Sequence, residues 1–216
     1  MNHFAKACAV IGVTLSFAAL TITSIPRKES VAKNMSDPQE QLHSSLLRVL
    51  VAPERSNELT DQEDIYGWLI GGWEAAVYDY AADGTVRESS GEWHFGWVLE
   101  GRAIQDVWIA PPRSQRSGRT LSKQNNRYGT SLRVYDRESG AWRVTWFNPV
   151  TGARNDLIGR RQGADIMQEG INPNGRKIRW LFTDITPTSF RWRGESLGPK
   201  DKTWRLEAEF RARRMI

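Results

Sequence analysis

The chain has 216 residues, with 39% hydrophobic and 25% charged side chains, enough for one domain with a sizeable core. Thirty basic residues against twenty-five acidic ones give a net charge of +5. The charges are interspersed rather than blocked, so no nucleic-acid partner is expected. One cysteine (Cys8) excludes an intrachain disulfide and a cysteine metal cluster, and His3, His43 and His94 never fall at ligand spacing, so no metal is expected.

Residues 7–22 form an apolar run behind Lys6. Two readings stay open. The run is a signal h-region or short anchor, which makes the protein exported or membrane-anchored. Otherwise translation starts at Met35 and the protein is cytoplasmic. Arg27, Lys28 and Lys33 follow the run, on the wrong side for export. Residues 1–34 are therefore set apart, 35–64 read as N-terminal helices with a connector, and 65–216 as a β-barrel domain.

Asp37-Pro38-Gln39-Glu40 supplies an N-cap, a proline at the first helical position and a capping-box acid. Leu42, Leu46, Val49 and Leu50 then share a helix face that ends before Pro53. A second capping box, Thr60-Asp61-Gln62-Glu63, opens a brief helix carrying Ile65, Trp68 and Leu69. These helices are expected to lid or plug one end of a barrel.

From Trp73 onward the apolar period is two. Strands are predicted over 72–81, 86–98, 102–110, 126–135, 141–148, 154–161, 164–170, 177–184, 188–196 and 202–212. Turn signals separate them, among them Asp83-Gly84, Glu100-Gly101, Thr151-Gly152 and Asn172-Pro173-Asn174-Gly175. The stretch Pro111–Asn125 has no apolar period and reads as a surface loop at the barrel mouth.

Turn chemistry fixes register. A two-residue hairpin at Glu100-Gly101 pairs Trp97 with Ile104, Phe95 with Asp106 and Trp93 with Trp108. A three-residue loop at Ala82-Asp83-Gly84 pairs Trp73 with Trp93. One face then carries Trp73, Ala75, Val77, Trp93, Phe95, Trp97, Ile104 and Trp108, with Asp106 among them. The opposite face carries Glu92, His94, Gln105 and Val107. Trp142, Val144, Trp146, Ile178, Trp180, Phe182, Phe190, Trp192, Trp204, Leu206, Ala208 and Phe210 are also placed inside. A one-residue slip would exchange the faces.

Most of the ten tryptophans therefore converge on one interior, which points to a closed antiparallel barrel of about ten strands. Such a barrel is either filled by its own rings or holds a small apolar or aromatic ligand. The ligand-binding candidates are Trp73, Trp93, Trp97, Arg102, Trp108, Tyr128, Arg133, Trp146 and Asn155, with Asn148 and Asp156 as further polar groups at the rim. Asp106 and His94 are the candidate proton carriers of a cofactor-free isomerase, cyclase or lyase, the alternative to pure binding. Asp106 also reads as a structural carboxylate bonded to Arg102 or to an indole N–H. Gly194-Glu-Ser-Leu-Gly198 matches an esterase pattern, but no histidine follows it, so it is rejected. A homodimer is left open, and the barrel itself is expected to make no stable membrane contact.

Gly71-Gly72-Trp73 on the first strand resembles the shared mark of the calycins, which include lipocalins, fatty-acid-binding proteins and nitrobindin-like barrels. The resemblance implies an arginine near the end of the last strand covering that tryptophan, at Arg211 or Arg213. Gly91-Glu-Trp-His-Phe-Gly-Trp97, Gly101-Arg-Ala-Ile-Gln-Asp-Val-Trp108 and Leu132-Arg-Val-Tyr-Asp136 look like a group of uncharacterised bacterial calycin-like proteins, over roughly Ile65–Arg213. It implies a fold and no activity. Nitrobindin-type barrels hold haem on a histidine late in the barrel. No histidine follows His94, so no cofactor is expected.

Overall fold

The computed structural model describes residues 45–118, 121–198, 200 and 202–216. The apolar run 7–22 and the first helix N-cap at Asp37 lie outside them. Among the described residues no helix is long and apolar enough to cross a membrane.

Ten strands close into an up-and-down antiparallel barrel, each paired with its sequence neighbours and β1 closing on β10. They are β1 (Gly71–Tyr80), β2 (Val86–Val98), β3 (Ala103–Ala110), β4 (Arg127–Asp136) and β5 (Ala141–Asn148). β6 (Ala153–Gln162), β7 (Asp165–Ile171), β8 (Lys177–Thr183), β9 (Ser189–Leu197) and β10 (Arg205–Arg214) complete it. Closure satisfies the backbone groups that an open edge strand would expose.

The turn-derived register holds. Trp73 pairs with Trp93, and Trp93, Phe95 and Trp97 pair with Trp108, Asp106 and Ile104. Glu100 and Gly101 both take left-handed φ values, 57° and 76°, and the Arg102 N–H donates to the Leu99 carbonyl at 3.2 Å. Gly84 sits at φ 86°, the bulge position that sets the β1–β2 register.

One end of the barrel is plugged. A 3-10 turn, Gly67–Leu69, tucks Leu69 beneath β1, where its carbonyl accepts the Trp73 indole N–H at 2.7 Å. Tyr66 packs edge-on to Trp142 and Phe182, and Trp68 edge-on to Trp73 and Phe190. The Trp142 indole N–H donates to the Glu63 carbonyl at 2.7 Å. The plug is the expected one, but its local form differs. The capping box closes, with Thr60 N–H to Glu63 Oε2 at 2.8 Å and Glu63 N–H to Thr60 Oγ1 at 3.3 Å. It opens one turn rather than a helix. The Asp64 carboxylate takes the Gly67 N–H at 2.6 Å and so redirects the chain. The helix face at 45–50 is also corrected: Leu46 and Val49 are exposed, not packed on the barrel.

β10 departs from simple alternation. A bulge between Leu206 and Ala208 sets Leu206 opposite Glu195 on the outer face and turns Glu207 toward the interior. Trp204, expected inside, instead lies half-buried, with the Arg179 guanidinium 4.3 Å from its ring centroid. Arg179 precedes the inward Trp180 on β8, so that contact is on the outside.

Candidate functional site

The strands run alternately, so the β1–β2, β3–β4, β5–β6, β7–β8 and β9–β10 connections gather at the end opposite the plug. The loop between β3 and β4 is thus at the mouth, as its composition predicted. Inside the mouth lies a cavity of about 350 Å³. Its aromatic wall is Trp93, Trp108, Trp146, Trp180, Trp192 and Phe210, with Ile178 and Ala208 between rings. Phe210 is stacked between Trp108 (4.5 Å, 13°) and Trp192 (4.4 Å, 20°). Trp146 and Trp180 meet edge-on at 5.9 Å and stay only half-buried, facing free space. Two glycines make room for these rings. A Cβ at Gly91 would meet Trp108 at 2.5 Å, and one at Gly194 would meet Trp192 at 2.6 Å.

The polar part of the wall comes from Asp79, Arg127, Ser131, Arg133, Asn148, Asn155, Asn172 and Glu207. Arg133 is fully buried, and its Nη1 donates to Asp106 Oδ2 at 2.5 Å. The Ser131 N–H donates to Asp106 Oδ1 at 2.9 Å. The Arg133 guanidinium also lies 5.4 Å from the ring centroids of Tyr66 and Phe95. A buried charge persists only when paired in this way. Burial pushes the Tyr66 hydroxyl up to about 12, against the opposing pull of Arg133 and of Gln168. The Arg133 Nε–H and the Trp93 indole N–H have no acceptor among the described residues.

Asp106 is therefore where the register put it, on the inner face, but its partner is Arg133 rather than Arg102. It does not line the cavity. Arg102 is corrected outright: it lies outside, its guanidinium bridging Glu58 and Glu100, which push its pKa upward. The reason is position. Arg102 sits in the hairpin turn at the plugged end, beyond the last pair of β2 and β3.

His94 is on the outer face, as the register predicted. Its Nε2 lies 3.1 Å from Glu92, and Arg113 clamps the same carboxylate through Nε and its backbone N–H, both at 2.7 Å. Burial alone would raise Glu92. The Arg113 guanidinium, its N–H and His94 outweigh this and hold it at about 2.

Of the other candidates, Trp93, Trp108, Arg133, Trp146 and Asn155 line the cavity. Trp73 and Trp97 are buried in the core but do not reach it. Tyr128 is exposed on the outer face under Arg116, and Asp156 is outside, accepting from Thr145 and Arg154. Both lie one residue out of phase with the inner positions Gly129 and Asn155. Trp180, Trp192 and Phe210 were placed inside by periodicity. Asp79 and Arg127 were missed, although each shares the parity of inner residues on its strand. Glu207 was hidden by the bulge.

The arginine over the first-strand tryptophan is Arg214, one beyond the expected Arg213. Trp73 and Arg214 are direct cross-strand partners, with the guanidinium 4.2 Å from the ring centroid. It also donates to the Ile70 and Trp68 carbonyls at 2.8 and 2.7 Å, tying the plug to both ends of the sheet.

No protein-family model matches this chain, and no curated protein does. Among solved structures, the S-type phycobiliprotein lyase CPES of Guillardia theta is similar over 69% of this chain and 89% of that one, with a TM-score of 0.45 and 9% identity. Likeness at that level transfers neither ligand nor activity. What the molecule itself defines is an aromatic-lined, closed ten-stranded barrel, plugged at one end and hollow at the other.

Proposed function

We propose that this barrel binds a small, flat apolar or aromatic molecule in its inner cavity. One observation carries the reading: free volume of about 350 Å³ against five tryptophans and one phenylalanine, with polar side chains confined to part of the wall. That size and lining fit small-molecule sites, where apolar walls supply affinity and a few polar groups orient the ligand. The proton-carrier alternative has less support, because Asp106 is tied to Arg133 and Ser131 and His94 stands outside.

The test is calorimetric titration with two- and three-ring aromatics. Micromolar binding is expected, weakened about tenfold or more by Trp180→Ala, which removes a half-exposed wall ring. No binding by any probe, or binding untouched by Trp180→Ala, would reject the reading.

A further inference from the structure

We infer that the ligand carries an anionic head, a carboxylate or its equivalent, seated at the cavity mouth on Arg127. The inference rests on the binding reading above and specifies its ligand class. It begins with a second cavity of about 510 Å³, lined by residues of β1–β4 and of the loop between β3 and β4, including Pro111, Gln115, Leu121 and Asn125. Asp79 and Arg127 line both cavities. They form the threshold between an aromatic chamber and a polar vestibule.

The threshold is electrostatically unbalanced. Arg127 Nη2 contacts Asp79 Oδ2 at 2.6 Å, and Arg87 Nη2 contacts the same oxygen at 3.1 Å. Among the described residues, the charged groups lining the vestibule are Asp79, Arg87 and Arg127, one negative against two positive. Each guanidinium has five N–H donors, more in total than one carboxylate can accept. Arg87 is further fixed to Asn125 of the loop, Nη1 to Oδ1 at 2.7 Å. An incoming carboxylate can therefore engage Arg127 while Asp79 keeps Arg87, and the charge at the threshold comes to zero.

The other charges of the chamber wall do not compete. Arg133 is neutralised by Asp106, and Glu207 accepts from Ser196 at 2.6 Å and from Arg205. Among the described residues, the unmet buried polar groups of the chamber wall, on Trp93 and Arg133, are both donors, and the unmet acceptor Gln168 Oε1 does not line the chamber. An aromatic body in the chamber with its anionic group on Arg127 matches both halves of the site.

Three probes that share one naphthyl body separate the possibilities: 2-naphthoate, 2-naphthamide and 2-naphthylmethylammonium, titrated calorimetrically into the full chain. The carboxylate should bind about tenfold tighter than the amide, and the ammonium weakest. Raising salt should weaken the carboxylate alone. Arg127→Gln should bring 2-naphthoate down to the affinity of the amide and leave the amide within twofold. Asp79→Asn raises the threshold charge by one unit and should tighten 2-naphthoate severalfold without helping the amide. A folding defect cannot produce that gain. Amide binding equal to or tighter than carboxylate binding, or an ammonium preference, overturns the anionic head while the aromatic cavity stands. Failure of all three to bind overturns the cavity reading itself.

Discussion

Two carboxylates show how one residue type is used differently on the two sides of a barrel wall. Asp106 faces inward and survives there because Arg133 and the Ser131 N–H satisfy it. Arg133→Met should destabilise the protein by about 3–5 kcal/mol, since it strands a buried charge, whereas Asp106→Asn combined with Arg133→Met should recover much of that loss. Urea unfolding of the two variants beside the unaltered protein checks this. Glu92 faces outward and is held at about 2, well below its ordinary 4.5. A lowered folded-state pKa stabilises the protein above the unfolded-state value and loses that contribution as pH falls through the folded one. Stability should therefore decline between about pH 4.5 and 2, and Glu92→Gln should flatten the decline by about 1–2 kcal/mol, discounted for the exposed Arg113. Unfolding midpoints measured across that range would reveal an unchanged slope if the clamp is unimportant.

At the scale of elements, the plug and the last strand act as one unit. Arg214 covers Trp73, reaches two carbonyls of the plug and ends β10 opposite the start of β1. Arg214→Ala removes a cation–π contact and three charge-assisted hydrogen bonds, to the Trp68, Ile70 and Pro187 carbonyls, together. A loss of about 2–4 kcal/mol is expected in chemical denaturation, with Arg214→Lys recovering only part of it because a lysine lacks the planar fork. The β10 bulge acts at the other end. By adding one residue it exchanges Leu206 for Glu207 at the cavity wall and leaves Trp204 outside beneath Arg179. The β1–β2 and β2–β3 hairpins were readable from glycine and loop length. The bulge was not, because no turn residue announces it and the alternation through Trp204 and Leu206 looks unbroken.

For the whole molecule, the closed end and the hollow end follow from where the large rings fall along the strands. Trp73, Trp142, Phe182 and Phe190 meet the plug and fill their layer, while Trp93, Trp108, Trp146, Trp180 and Trp192 surround open volume with the mouth charges above them. The sequence by itself determined a count of about ten strands, the registers of the first two hairpins and the inner placement of Asp106, because period-two alternation and turn geometry are local properties of the backbone. Tertiary structure alone decided that Asp106 pairs with Arg133, that Arg102 is outside, that Arg214 caps Trp73, and that Asp79 and Arg127 meet at the threshold. Those pairings join residues brought together by closure and by the stagger of strands distant in the chain. Alternation says which face a side chain takes, but only the closed barrel says which other side chain it finds there.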